Sequence, residues 1–296
     1  MMDWLARLLG MQTGRATTDE RADESGEQRR IAEGLAKFEQ WRSEHALPAV
    51  FLDTDGPTEP GATGSRIGGP AWLPEGEDWP TDSAGKPLSF LAQLDFAQLP
   101  KLPDFPDHGV MQFFIGTNDL YGADFKAPER GDFRVIWREE TGGAGALHDN
   151  MVQDRMDSFT PLDDGLPAGG LKLTGRAAMH SPSIDSWLVD RDLTEEMSDA
   201  PVGDAIYERQ DEIDQTEGLE AHHMGGHPEF TQSDYRGVES YKDVDRVLLN
   251  LWSQPSDERG RWSVLWGDAG QGQFTIRRAD LLERRFDRAL YQWDCG

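Results

Sequence analysis

Cysteine is almost missing from this 296-residue chain: Cys295 stands alone, next to the last residue. No intramolecular disulfide can form and no thiolate zinc cage can be assembled. A reducing compartment, the cytoplasm, is the expected location. Basic residues are scarce too, 29 Lys and Arg against 55 Asp and Glu, a formal net charge of −26. Such a surface repels bare nucleic acid and anionic membrane and attracts basic partners. Long apolar runs are also lacking. None approaches the ~20 residues that span a bilayer, so no stable membrane insertion is expected.

What is there begins with Trp4, Leu5, Leu8 and Leu9, interrupted by Asp3 and Arg7. This reads as a short amphipathic helix over residues 1–12 rather than a signal peptide. It lacks the Lys/Arg-rich polar face of an interfacial helix. Residues 13–28 are polar and read as a flexible linker. Ile31, Leu35, Phe38 and Trp41 then recur at helical spacing, predicting a helix from about Gln28 to Glu44.

From Ala49 the pattern is strands and turns. FLAQLDF (90–96) places Phe90, Ala92, Leu94 and Phe96 on one face, and GVMQFFI (109–115) and FRVIWR (133–138) also alternate. LKLT (171–174) and SWLVD (186–190) are shorter strand signals. The acid-rich span 191–220 has Val202, Ile206 and Ile213 at helical spacing, with Pro201 suited to a first turn. RVLLNLWS, WSVLW and QFTI resume the strand pattern near the C-terminus. With few helices between strands, antiparallel pairing is favoured over a doubly wound parallel sheet. The expected fold class is α+β and β-dominated: mostly antiparallel sheets from two similar halves, with peripheral helices and an N-terminal helix.

The two halves, about 49–140 and 220–296 within a domain spanning 29–296, echo each other. Gly68-Gly69-Pro70-Ala71-Trp72 resembles Gly225-Gly226-His227-Pro228-Glu229-Phe230, and Gln93 and Asn250 each lie 25 residues beyond the first glycine of their pair. MQFFI (111–115) likewise aligns with GQFTI (272–276), setting Gln112 beside Gln273. An internal duplication explains this with one assumption, and it directs attention to a cleft at the junction of the halves.

SRIGGPAWLP, GKPLSFLAQLDFAQLP, GVMQFFIG, HHMGGHPEFTQSDYR and WGDAGQGQFTI with the terminal YQWDC are similar, in the same order, to the YwqG-like family, a bacterial domain of unknown function. The similarity runs from about Ala49 to Cys295. It implies a β-rich α+β fold and no particular activity.

Candidate chemistry is sparse. WGDAGQG (266–272) lacks the Lys-Ser/Thr of a phosphate loop and reads as a hairpin loop between VLW and QFTI. His222, His223 and His227 near Asp234 are not spaced as metal ligands, since Gly225, Gly226 and Pro228 deny a helix; solvated or capping histidines are expected, with no metal and no cofactor. No G-x-S-x-G elbow occurs. Cys295, beside Asp294 and without an adjacent cation, is a poor nucleophile. Asp95 and Asp268 are the carboxylates to test for general acid/base work. Trp72, Trp79, Gln93, Gln112, Gln232, Trp266 and Gln273 combine ring faces with amides, as sites for small polar ligands or peptides do; the preferred reading is that the tryptophans fill core and the amides bridge backbone groups between the halves. The leading expectation is a non-enzymatic binding or interaction module whose partner is a protein or small polar ligand of basic character. The alternative is a carboxylate-based hydrolase with its cleft between the halves.

Overall fold

The computed structural model describes residues 18–58, 64–140, 144–150, 158–217, 221–256 and 261–296. The helix expected at 1–12 lies outside them. Helix α1 (Thr18–His45) starts well before Gln28, so much of the expected linker is helical. Extending a docked helix avoids the cost of nucleation, and pairs such as Arg29 with Glu33, 2.9 Å apart one turn on, support it.

SWLVD is not a strand. It forms α2 (Trp187–Asp192), where the Ser186 side chain caps the Leu188 N–H; a helix N-cap outweighs the β-propensity of so short an apolar run. After α3 (Thr194–Ser198), α4 (Ala200–Glu217) lays Val202, Ile206 and Ile213 against Phe38 and Trp41 of α1. Arg42 Nη1 donates to Gln210 Oε1 across this pair at 2.8 Å.

The body is one ten-stranded sheet built from β1 (Leu47–Pro57), β2 (Arg66–Ile67), β4 (Ser89–Asp95), β5 (Val110–Ile115), β6 (Phe133–Arg138), β8 (Leu171–His180), β9 (His223–Gly225), β10 (Val244–Trp252), β13 (Gln271–Arg277) and β14 (Leu290–Asp294). Every pairing is antiparallel. The order is β14-β13-β10-β9-β1-β8-β2-β4-β5-β6. Two short ribbons stand apart, β3 (Ala71–Pro74) with β7 (Gly145–His148) and β11 (Gln254–Pro255) with β12 (Trp262–Val264). β12 and β13 therefore do not form a hairpin, and WGDAGQG instead makes a turn closed by Gly270 N–H on the Trp266 carbonyl.

The sheet curls until it is nearly closed. Phe113 of β5 meets Phe274 of β13 at 4.9 Å between ring centroids, and the two edge strands touch through Phe133 and Tyr291 at 5.4 Å. Met111, Ile115, Leu249, Leu251, Ile276 and Trp266 fill the same interior. Bringing the edges together also limits the open strand edge on which another chain could pair.

Outward from the central β1–β8 pair, each strand on one side has a counterpart on the other: β9 and β2, β10 and β4, β13 and β5, β14 and β6. The Gly-Gly pairs follow suit, with φ of +65° and +75° at Gly68 and Gly69 and +69° and +68° at Gly225 and Gly226. This left-handed backbone turns the chain off the sheet at a point where a Cβ on Gly226 would lie 2.5 Å from His180 Nδ1. The register also slips once between Phe90 and Ala92 and once between Val247 and Leu249. Strict alternation was expected along these strands; the slips instead put Phe90 on the outer face, away from Ala92 and Leu94.

Because Phe274 joins the two sides of the curl, Phe274→Ala should destabilise the protein by about 3–5 kcal/mol. Urea unfolding followed by tryptophan fluorescence measures this, and a change under about 1 kcal/mol would contradict a continuous interior.

Candidate functional site

Past each Gly-Gly turn the chain crosses the outer face of the sheet as a strap, residues 70–79 in the first half and 227–235 in the second. The two straps are wired alike. Arg66 Nη2 donates to the Pro70 carbonyl, and His223 Nε2 to the His227 carbonyl at 3.1 Å. Asp95 N–H bonds Ser65 Oγ at 2.9 Å, and Trp252 N–H bonds His222 Nδ1 at 3.1 Å. Gln112 Nε2 donates to the Trp72 carbonyl and Gln273 Nε2 to the Glu229 carbonyl, each at 2.8 Å. The cross-strand pairs Arg66/Gln93 and His223/Asn250 correspond as well.

Under the first strap the layer is mainly apolar, with Arg66, Asn150 and one chain of hydrogen-bonded side chains as its polar members. Ala71, Leu73, Leu88, Phe90 and Phe114 pack together with Trp79 and Ile136. Gln112 Nε2 also donates to Gln93 Oε1 at 2.8 Å, and Gln112 Oε1 accepts from Arg138 Nε at 2.7 Å. Arg138 then grips Glu77 with both terminal nitrogens, 2.7 and 2.6 Å, its guanidinium 6.0 Å from the Trp72 ring centroid. Arg66 is fully buried; burial lowers its pKa to about 10, so it stays cationic at neutral pH.

Under the second strap the same layer is polar. Gln271 and Gln273 share the outer face of β13, opposite Asp294 and Gln292 of β14 and Trp252 and Asn250 of β10. Glu229 Oε2 accepts from Trp252 Nε1 at 2.6 Å and Asn250 Nδ2 at 3.1 Å, and its Oε1 lies 3.0 Å from His180 Nε2. His180 Nδ1 accepts from the His227 N–H at 3.1 Å, so Nε2 carries the proton and donates it to Glu229. Asp294 Oδ2 accepts from the Thr231 N–H at 2.9 Å; burial of this carboxyl raises its pKa.

Several buried amide atoms in this layer have no partner among the described residues: Asn250 Oδ1, Gln273 Oε1 and both amide atoms of Gln271. The Asn250 and Gln273 amides are oriented by their contacts to Glu229, since each nitrogen faces an acceptor-only oxygen. Their oxygens are thus held without a donor, at a cost of about 1–3 kcal/mol each.

The expected site residues do not form one site. Trp72, Gln93 and Gln112 meet under the first strap, where Trp79 Nε1 also bonds the Leu88 carbonyl at 2.8 Å. Gln273 and Gln232 belong to the second strap region, Gln232 being exposed and donating to the Cys295 carbonyl at 2.8 Å. Trp266 is in the interior against Tyr121 and Trp293, a core side chain and not a ligand platform. Asp95 and Asp268 do not pair: Asp268 is exposed in the turn that leads into β13, and Asp95 ends β4, its Oδ1 capping the Ala97 N–H at 3.0 Å. At the junction of the halves lie a cleft of about 50 Å³, bordered by Pro48, Leu102, Phe105 and Gly225, and one of about 340 Å³, bordered by Leu52, Thr54, His222 and Gln254. None of the expected site residues lines either.

His222, His223 and His227 are buried rather than solvated, although each does bond the backbone. No cluster of metal-binding type occurs among the described residues. Asp234 accepts instead from Arg236. Sequence reasoning missed Arg138, His180, Glu229, Gln271 and Asp294. Glu229 and Asp294 were within reach, since aligning the halves places Glu229 opposite Trp72. His180 lies between the halves and has no such signal.

A family model described as a domain of unknown function, DUF1963, matches residues 65–295. No curated protein matches the chain. Among the described residues no helix is long and apolar enough to cross a membrane.

The buried histidines dictate a pH response. Burial lowers the pKa of His223 to about 4 and of His227 to about 3, and lowers that of His222 as well. The unfolded chain binds protons on these rings near pH 6.5 while the folded protein does not. Stability is therefore full above about pH 7 and falls as the pH drops through 6.5, by up to about 1.4 kcal/mol per pH unit for each ring. A buried carboxyl with raised pKa, such as that of Asp294, opposes this only near the carboxylate range. Denaturation midpoints at pH 7.5, 6.5 and 5.5 should decline; a flat profile would contradict neutral burial.

Proposed function

The chain belongs to the DUF1963 family, described as a domain of unknown function, and from that premise we propose a non-enzymatic binding module whose ligand site is the polar layer under the second strap. Its resemblance to YwqG-like proteins rests on motifs from SRIGGPAWLP onward, within the matched span. We infer that the two halves descend from one duplicated unit. The Ser65 and His222 bonds to the backbone, the register slips and the Gly-Gly turns support this, because each of these recurs at the interval separating Gly68 from Gly225.

One observation carries the functional reading: corresponding positions of the two outer faces differ in polarity. Where the first half has Trp72, Val110, Phe114, Ile136 and Arg138, the second has Glu229, Gln271, Thr275, Gln292 and Asp294. In the first set Phe114 and Ile136 pack into a small core; the second set buries amides and acids, some without partners. Local rules of stability are broken most often at functional sites. A duplicated unit that keeps one copy for packing and opens the other to ligand accounts for this.

The hydrolase alternative has no comparable support, since Asp95 caps a turn and Asp268 stands exposed in a different one. Asp95→Ala is accordingly expected to cost about 0.5–1 kcal/mol of stability as a lost cap, with no other effect.

Gln271→Met provides the test. It preserves volume and removes both unpartnered amide atoms, so stability should rise by about 1–3 kcal/mol. Guanidinium chloride unfolding measures it. A loss of stability would mean that Gln271 serves the fold, and the functional reading would fail.

A further inference from the structure

We propose that the polar layer under the second strap takes a guanidinium group, from a free small molecule or from an arginine of a partner protein. This inference rests on the binding-site reading above and names the ligand's chemistry.

The argument comes from the first half, where a guanidinium already occupies the corresponding place. There Arg138 extends from the last strand of its half, donates Nε to Gln112 Oε1 at 2.7 Å and lies over Trp72. Gln273 corresponds to Gln112, and both turn their nitrogen to a strap carbonyl, fixing the oxygen in the same sense. The position of Arg138, paired with Val110 across the ladder, is held in the second half by Asp294, paired with Gln271. An acceptor thus stands where the first half has the donor.

What remains is an excess of acceptors. Asn250 Oδ1, Gln273 Oε1 and Gln271 Oε1 lie on one face of two adjacent strands, beside the Asp294 carboxylate of a third, and no described residue donates to these three amide oxygens. Directly opposed residues in such a ladder have Cβ atoms about 4.5–5.5 Å apart, within the span of one planar cation. Arg236 does not fill the role: its guanidinium is held by Asp234 and Ser186 over the Phe230 ring. The charge has the right sign, because Asp294 and Glu229 face this layer while His180 is neutral by its hydrogen bonds. A guanidinium offers several planar N–H donors to such oxygens, whereas ammonium is a compact and strongly hydrated point charge. Net charge further favours a cationic partner's approach.

The test is calorimetric titration of the full chain with N-methylguanidinium, with N-methylurea as the neutral isostere and potassium chloride as the simple cation. The expected result is one site, binding N-methylguanidinium at least tenfold more tightly than either control. Asp294→Asn should weaken it at least tenfold with an unchanged melting temperature. If that variant misfolds, Gln271→Met replaces it and should weaken binding likewise. An arginine-containing peptide binding more tightly than N-methylguanidinium identifies a protein source; the reverse identifies a free small molecule. Equal affinity for N-methylurea or potassium, or no binding of guanidinium by the wild-type chain, overturns the proposal. If Gln271→Met is nonetheless stabilised, the ligand class fails while the site reading survives; if it is destabilised, both fail.

Discussion

The contact between Phe113 and Phe274 sets the conditions for the rest of the molecule. For rings on strands at opposite sides of a ten-stranded sheet to meet, the sheet must curl until its interior becomes the main core. Curling leaves a convex outer face whose side chains alternate with those inside, and this face also needs cover. The straps provide it. They can do so because left-handed glycines turn the chain off the sheet at Gly68-Gly69 and at Gly225-Gly226.

Cover of this kind brings strap carbonyls over strand side chains, and buried carbonyls need donors. Gln112 and Gln273 supply them, one to each strap. Once an amide has committed its nitrogen, its oxygen requires a donor in turn. In the first half Arg138 closes the chain of bonds and is itself neutralised by Glu77. In the second half Asp294 occupies that position, and the amide oxygens stay unmatched by the chain's own described groups. On our reading the same architecture yields a finished core on one side and a receptive layer on the other.

Much of the fold was legible in the sequence because short-range patterns carried it. Gln93, Gln112, Asn250 and Gln273 stood out as polar residues within apolar strands, and all four are buried in cross-strand pairs. Where a single local signal competed with another, reading failed: Ser186 caps a helix where SWLVD suggested a strand. Trp266 was readable either as core or as a ring platform, because aromatic composition does not reveal which face of the sheet a side chain lines. The slips at Leu91 and Leu248 had the same effect, changing faces without altering the apolar pattern.

By itself, the sequence determined the β-dominated antiparallel character, the acidity and the equal spacing of Gln93 and Asn250 after their Gly-Gly pairs, since these follow from periodicity, composition and position along the chain. Only the tertiary structure decided which polar residues face one another. It brought His180 to Glu229, set Asp294 where the other half has Arg138, and moved Asp95 and Asp268 into unrelated turns. The physical reason is that hydrogen-bond satisfaction is a property of neighbours in space. A glutamine in a strand reads the same whether a guanidinium answers it or not, and that difference separates the two layers.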